Sequence, residues 1–165
     1  MIEIPDFDIR FSEMEDQPYL DRWFLDAGAC DDFPFDFEER GDALKNWLGF
    51  SRFKASLTGT INNVPCAIGT LFLMPYKKVA HHCSFYLIVD PDHRRKGVGT
   101  SMVRNLLHLA KSRFRLESVH VEIYEPSKLH SILQKLGFEL FARQENYVVI
   151  EGCSRARLLL EHYFV

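Results

Sequence analysis

The run "LIVDPDHRRKGVGTSMVRNLLHLAKSRF", from Leu87 to Phe114, sets an apolar stretch, a basic loop with two glycines and a long helical rhythm end to end. Pro91 stops the apolar stretch, which with "HHCSFY" before it predicts a strand ending at Asp90. Val98, Met102, Val103, Leu106, Leu107, Ala110 and Phe114 recur at i, i+3 and i+4, which predicts an amphipathic helix over Gly97 to Phe114. A strand that turns through Gly97 and Gly99 straight into a helix aims the first helical N–H groups, which have no intrahelical partners, at the loop. Glycines let a ligand approach that backbone without a Cβ in the way, and Arg94, Arg95 and Lys96 add positive charge at the rim. The stretch therefore suits a phosphate ester or diphosphate, and its plainer reading is a glycine turn beside solvated basic side chains. Neither nucleotide fingerprint is present. A Walker A loop needs Gly-Lys-Ser/Thr at the helix start, whereas Lys96 precedes Gly97, and a dinucleotide loop needs a third glycine where Met102 stands.

The remaining chain supplies partners for that unit. Phe7, Ile9 and Phe11 alternate as a first strand. Leu20, Trp23 and Phe24 predict a helix ending at Ala27-Gly28, and a second helix is expected over Phe37 to Leu48. "SRFKASLTGTI" and "CAIGTLFLM" read as a hairpin starting at Ser51, and "ESVHVEIYE" alternates with Val119, Val121 and Ile123 on one face and His120, Glu122 and Tyr124 on the other. A short helix over "PSKLHSILQKLG" closes at Gly137, and "FELFARQENYVVI" and "RARLLLEHYF" form two final strands joined around Gly152. The order β-α-α-β-β-β-α-β-α-β-β describes an α/β chain with a central sheet, and 165 residues suit one domain spanning 1–165.

Composition narrows the function classes. Apolar runs such as Leu71 to Met74 are far short of the roughly 20 residues of a membrane span, and the acidic N-terminus lacks the basic n-region of a secretory signal, so the cytoplasm is the expected compartment. Cys30, Cys66, Cys83 and Cys153 form no CxxC pair, which speaks against a disulfide framework or a zinc site. His81 and His82 alternate in direction on a strand, so they cannot chelate one ion as a pair, and no metal is expected. Residues 1–50 hold 14 acids and 4 bases, and residues 51–165 hold 9 acids and 16 bases. Either this polarity serves two ligands of opposite sign or it is solvated surface.

The stretch "LIVDPDHRRKGVGTSMV" strongly resembles motif A of the GNAT superfamily of N-acetyltransferases, whose loop reads Arg/Gln-x-x-Gly-x-Gly/Ala and is met here by Arg94, Gly97 and Gly99. "LQKLGFEL" falls where the family has its later Leu-Gly-Phe. The resemblance implies a mixed, mostly antiparallel sheet of six to seven strands, splayed between the fourth and fifth and flanked by about four helices. It implies acetyl-CoA as cosubstrate, with Leu87, Ile88 and Val89 bonding the pantetheine arm and Arg94, Arg95, Lys96, Gly97, Val98, Gly99 and Thr100 wrapping the diphosphate. A backbone N–H at Ile88 would serve as oxyanion donor. The chain also departs from the family. A Glu early in the strand is replaced by Ser84, a Tyr on the last helix by Leu133, and an Asn opening that helix by Pro126. His82, on the same face as Ser84, and Glu122 and Tyr124 on the neighbouring strand are the substitutes for base and acid.

The family builds its acceptor site from the first two helices and their loop, here "DAGACDDFPFDFEERGD", whose acids and phenylalanines suit a cationic amine or simply cap helices and edge a core. The expected activity is transfer of an acetyl group to a primary amine, on a small molecule or a protein N-terminus or lysine. The alternative is a degenerate domain that binds acetyl-CoA without turnover. Nucleic acid and membrane are not expected as partners, since the basic run lies where cofactor phosphates should be, and the chain would act as monomer or homodimer.

Overall fold

The computed structural model describes residues 4–164. Strands β1 (Phe7–Phe11), β2 (Ser56–Ile61), β3 (Val64–Leu73), β4 (His82–Val89), β5 (Ser118–Tyr124), β6 (Glu139–Ile150) and β7 (Cys153–Tyr163) form one sheet in the order β1-β2-β3-β4-β5-β7-β6. Every neighbouring pair is antiparallel except β4 with β5. That parallel pair is short: it holds only His82 to Ser118, Cys83 to Val119 and Ser84 to His120. Beyond Ser84 the two strands part, which is the splay that the resemblance implies.

Among the described residues four α-helices accompany the sheet, α1 (Gln17–Trp23), α2 (Arg40–Gly49), α3 (Val98–Ser112) and α4 (Leu129–Lys135). The apolar stripe of α3 (Val98, Met102, Val103, Leu106, Ala110) is buried against Cys83 and Phe85 of β4 and Val119, Val121 and Ile123 of β5, with Leu133 of α4 in the same core. On the other face of the sheet Leu20, Trp23, Phe24, Leu44, Trp47 and Leu48 from α1, α2 and the residue following α1 pack on Ile68 of β3 and Ile88 of β4. No helix among the described residues is long and apolar enough to cross a membrane.

Several boundaries differ from the sequence expectation for local reasons. The first helix stops at Trp23 instead of Ala27, and Ala27–Asp32 winds as a separate 3-10 turn capped by the Asp26 carboxylate, which accepts from Gly28 N at 3.0 Å. The expected helix from Phe37 opens as a 3-10 turn over Phe37–Glu39, with Asp36 and Glu39 capping each other's backbone, before α2 begins at Arg40. The β2 strand starts at Ser56, not Ser51, because Phe50–Phe53 forms a 3-10 turn ended by Lys54 in the left-handed region (φ 55°). α4 starts at Leu129, three residues after Pro126.

Gly69 shows how closely α3 lies on the sheet. A Cβ there would stand 2.7 Å from Leu106 Cδ1, a fully packed side chain. Gly69→Val is expected to cost about 2 kcal/mol through overpacking, read as a shift of the urea midpoint at unchanged slope.

Candidate active site

The main-chain groups bordering the splay follow from the register. Asp90 N donates to Cys66 O at 2.7 Å, so Asp90 and its alternate neighbours Ile88 and Tyr86 turn their N–H and C=O groups toward β3, where Ile88 faces Ile68 and Tyr86 faces Thr70. Phe85, Leu87 and Val89 turn theirs the other way, toward β5, which diverges after the Ser84–His120 pair and so leaves Leu87 and Val89 facing the gap. The expectation of an oxyanion donor at Ile88 is thereby corrected: its N–H is spent on β3, and the donors bordering the gap belong to Leu87 and Val89, since the Ser84–His120 pair uses the Phe85 N–H. One of the acceptors is engaged, since Arg94 Nε donates to Val89 O at 3.2 Å and ties the loop to the strand end.

The gap opens into a cleft of about 590 Å³. Leu87, Ile88 and Val89 of β4 form one wall and Val121, Glu122 and Ile123 of β5 the other. Arg94, Arg95, Gly97, Gly99 and Thr100 close one end with the α3 N-terminus, and Ser127, Lys128, Ser131 and Ile132 form a flank. Gly97 sits at φ +87°, a conformation glycine adopts without a Cβ penalty, and it turns the chain into α3. The first N–H groups of α3, three basic side chains and the free strand edge thus converge on one apolar-walled groove, which fits a ligand with a diphosphate at one end and amides along its arm. Lys96 and Val98 do not line it. Lys96 is exposed with its Nζ 3.5 Å from Nδ1 of His93, which does line the cleft, and the Val98 side chain is buried on the core side of α3, so its share in holding a diphosphate is limited to its main chain.

A second cleft, of about 530 Å³, lies on the sheet face not covered by α3 and α4. His82, Ser84 and Tyr86 of β4, Ser118, His120 and Glu122 of β5 and Arg157, Leu159, Glu161 and Tyr163 of β7 line it, with Phe141 of β6 at its side. Phe85, Tyr86 and Glu122 border both clefts, so the two spaces meet where β4 and β5 part. Glu122 Oε2 stands 3.7 Å from Arg157 Nη1, and its Oε1 is buried with no hydrogen-bond partner. The expectation for Tyr124 as proton donor is also corrected. Its ring is 2 % exposed, stacked 6.1 Å from Tyr147, and walls neither cleft; burial first, then the Glu122 charge, push its phenol far up.

The acceptor-side loop mostly builds structure. Phe33 packs edge-on against Tyr86 (5.2 Å between ring centres), beside Trp47 (5.3 Å) and Phe24 (5.4 Å), and Arg40 lies 3.6 Å over the Phe37 ring. From this loop only Ala29, Asp32 and Phe33 reach the first cleft. Burial raises the Asp32 carboxyl, against the pull of Arg94, Arg155 and Lys128.

Tyr86, His120, Lys128, Ser127 and Ser131 were not singled out by the sequence reading. Tyr86 had a signal, standing two residues beyond Ser84 on the same face, but it is masked within an apolar run. Leu133, the position of the missing family Tyr, is buried in the core and lines neither of the two clefts. Among the described residues no group of His, Cys, Asp and Glu is arranged to hold a metal.

Residues 17–138 match the acetyltransferase (GNAT) family. This chain belongs to that family. It is accordingly an acyltransferase, and acetyl-CoA is the acetyl donor. Solved structures share the fold of this acetyltransferase at low sequence identity. A GNAT-family acetyltransferase from Streptococcus pneumoniae superposes with a TM-score of 0.82 at 18% identity, over 96% of this chain and 99% of its own. For yncA from Salmonella typhimurium, solved with its cofactor acetyl-CoA, the TM-score is 0.79 at 17% identity over 96% and 94%. For a ribosomal-protein-alanine N-acetyltransferase from Brucella melitensis it is 0.77 at 17% over 95% and 99%. No curated protein matches the acetyltransferase in sequence.

Proposed function

We propose that this acetyltransferase, as one domain over residues 1–165, transfers an acetyl group from acetyl-CoA to a primary amine by direct attack on the thioester. The observation that carries the reading is the meeting of the two clefts at Tyr86 and Glu122, directly under a strand edge with unpaired N–H groups. The first cleft takes the donor: Leu87 and Val89 offer main-chain bonds to the pantetheine amides, and Arg94, Arg95 and the amides from Gly97 to Thr100 hold the diphosphate. The second cleft takes the amine. Bound acetyl-CoA supplies an activated acyl group on a good leaving thiolate.

The chain's own contribution is placement and charge. Holding amine and thioester on opposite sides of one opening removes much of the entropic barrier. The Leu87 N–H, turned into the gap, is the donor placed to stabilise negative charge on a carbonyl oxygen there. Glu122, bordering both clefts, attracts a cationic amine toward the opening, and with His82 in the second cleft it is a candidate to receive the amine's proton. The acceptor is a small amine or a protein N-terminus or lysine.

Isothermal titration of acetyl-CoA and CoA, followed by free-thiol release with a panel of amines, tests this. Binding with amine-dependent thiol release is expected. Absence of acetyl-CoA binding would overturn the cleft assignment. Binding without release for any amine would favour the second reading, an acetyl-CoA-binding domain without turnover, for which the burial of Leu133 and the presence of Ser84 speak.

A further inference from the structure

The second cleft holds a histidine group that the proposed role of Glu122 and His82 does not account for. His120 stands opposite Ser84 in the last β4–β5 pair before the splay, so it is the imidazole nearest the opening, one register step beyond Cys83–Val119 and two beyond His82–Ser118. The rings of His120 and His82 lie 5.3 Å apart between centres, inclined at 63°. His82 in turn meets His81 at 4.9 Å and 87°, and His81 is exposed. Nδ1 of His82 is buried without a hydrogen-bond partner. Three imidazoles therefore run in file from the opening to solvent.

We infer that His120 takes the proton released by the acceptor amine, and that His82 and His81 carry it out to solvent. This rests on the acetyltransferase reading of the two clefts. The balance is simple: an ammonium gives one proton to a neutral His120 nitrogen, and the freed amine attacks the thioester carbon. The C–N bond forms as the carbonyl electron pair moves onto oxygen, the C–S bond breaks as the carbonyl re-forms, the nitrogen's remaining surplus proton ends on the thiolate as thiol, and one proton leaves through the file. No oxidant, reductant or metal takes part.

The surroundings of His120 suit this. From β4 it is faced by His82 and Tyr86, from its own strand by Glu122, and from β7 by Arg157, Glu161 and Tyr163; β6 adds only Phe141. Glu161 stands directly opposite it in register. The Arg157 cation is held away by others, with Nη2 donating to Gln144 Oε1 at 2.6 Å, its guanidinium 3.9 Å over the Tyr147 ring and Glu122 at 3.7 Å. Burial, then the neighbouring His82, keep the His120 imidazole below its ordinary value, so it is neutral and able to accept at pH 7. His82 performs the relay step in this scheme and Glu122 only attracts the cationic amine, which revises the candidacy of both as the base itself.

The test measures thiol release from acetyl-CoA with a high concentration of ethylamine, alongside acetyl-CoA affinity by calorimetry. His120→Ala is expected to lower kcat about 100-fold with acetyl-CoA affinity unchanged, and added imidazole is expected to restore much of the loss. His82→Ala is expected to lose about tenfold and to become dependent on buffer concentration, because buffer replaces a relay but not a wall. His82→Gln should also move the His120 titration upward by NMR, a readout that needs no acceptor. A His120→Ala enzyme within twofold of wild type from pH 6 to 9, a His82→Ala loss indifferent to imidazole and buffer, or wild-type protein that binds acetyl-CoA yet releases no thiol, would each overturn the file. Failure of acetyl-CoA to bind wild-type protein would instead sink the underlying assignment of the cleft, and the file with it.

Discussion

Gly99→Phe is expected to weaken acetyl-CoA binding at least about 100-fold, close to 2.7 kcal/mol, while the protein stays folded. A Cβ at position 99 would lie 3.5 Å from Ile132 Cδ1 and 3.9 Å from Val89 Cγ2, ordinary contact with two side chains that both wall the first cleft. A methyl group fits there. A ring has to project between them, into the groove through which the donor passes and over the first N–H groups of α3. Gly99 lacks the positive φ of Gly97, so an L residue at 99 meets no backbone strain, and Gly99→Ala serves as the control with near-normal affinity. Position 97 is the poorer probe, because at φ +87° any side chain adds about 1–2 kcal/mol of strain and mixes folding with binding. Calorimetry with acetyl-CoA on both variants, with circular dichroism to confirm folding, decides the matter. Unchanged affinity in a folded Gly99→Phe protein would place the donor elsewhere.

How much of this could be read in advance depends on whether a feature is local. The loop, α3 and β4 follow one another in sequence, so the glycine spacing and the apolar period carried them, and the observed helix differs from the expected one by one residue at its start and two at its end. The element order was legible for the same reason. Which main-chain groups face the splay was not, because that depends on the pairing phase of β3 with β4, and a one-residue change of phase exchanges Ile88 for Leu87. The second cleft was only half legible. His82 and Glu122 could be placed on faces, but Arg157, Glu161 and Tyr163 arrive from β7, 37 or more residues beyond His120, and only the strand order brings them there. Tyr124 failed for a related reason: alternation put it on the polar face, and Tyr147 of β6 then covered it. The acidic stretch before α2 was read as either a site or a set of caps, and the structure uses both: Asp32 reaches the first cleft, and Asp26, Asp36 and Glu39 cap turns.

Asp16→Ala is expected to remove about 2–3 kcal/mol of stability, a large part of the roughly 5–15 kcal/mol typical of a folded domain. Asp16 is buried at the start of α1, and its carboxylate accepts from Arg10 Nη1 and Nη2 at 2.8 Å each, from Glu13 N at 2.9 Å and from Thr58 Oγ1 at 2.9 Å. The network continues inward from Thr58 to Ser12 (2.7 Å), Ser56 (2.8 Å) and Thr70 (2.7 Å), joining the first loop to β2 and β3. Alanine leaves the fully buried Thr58 hydroxyl and the Glu13 amide without their partner, while the Arg10 guanidinium, 37% exposed, turns to water and to Phe11 O. Burial by itself would raise the Asp16 carboxyl, but the Arg10 hydrogen bonds, then the Glu13 amide and Thr58, outweigh it and hold the group below its usual range. The unfolded chain therefore binds this proton at higher pH than the folded one. The stabilisation is present in full above the unfolded value of about 4 and falls away as pH drops through the folded value. Urea titrations of wild type and Asp16→Ala at pH 7 and at steps down to pH 2 should show a gap of about 2–3 kcal/mol that narrows below pH 4. A gap under 1 kcal/mol, or one that does not change with pH, would refute the role assigned to the carboxylate. Since Asp16 opens the helix that brings Leu20, Trp23 and Phe24 onto Ile68, Ile88 and the Phe33–Trp47–Tyr86 cluster, the variant should also loosen the wall where the two clefts meet, seen as weaker ordering of Tyr86 by NMR at neutral pH.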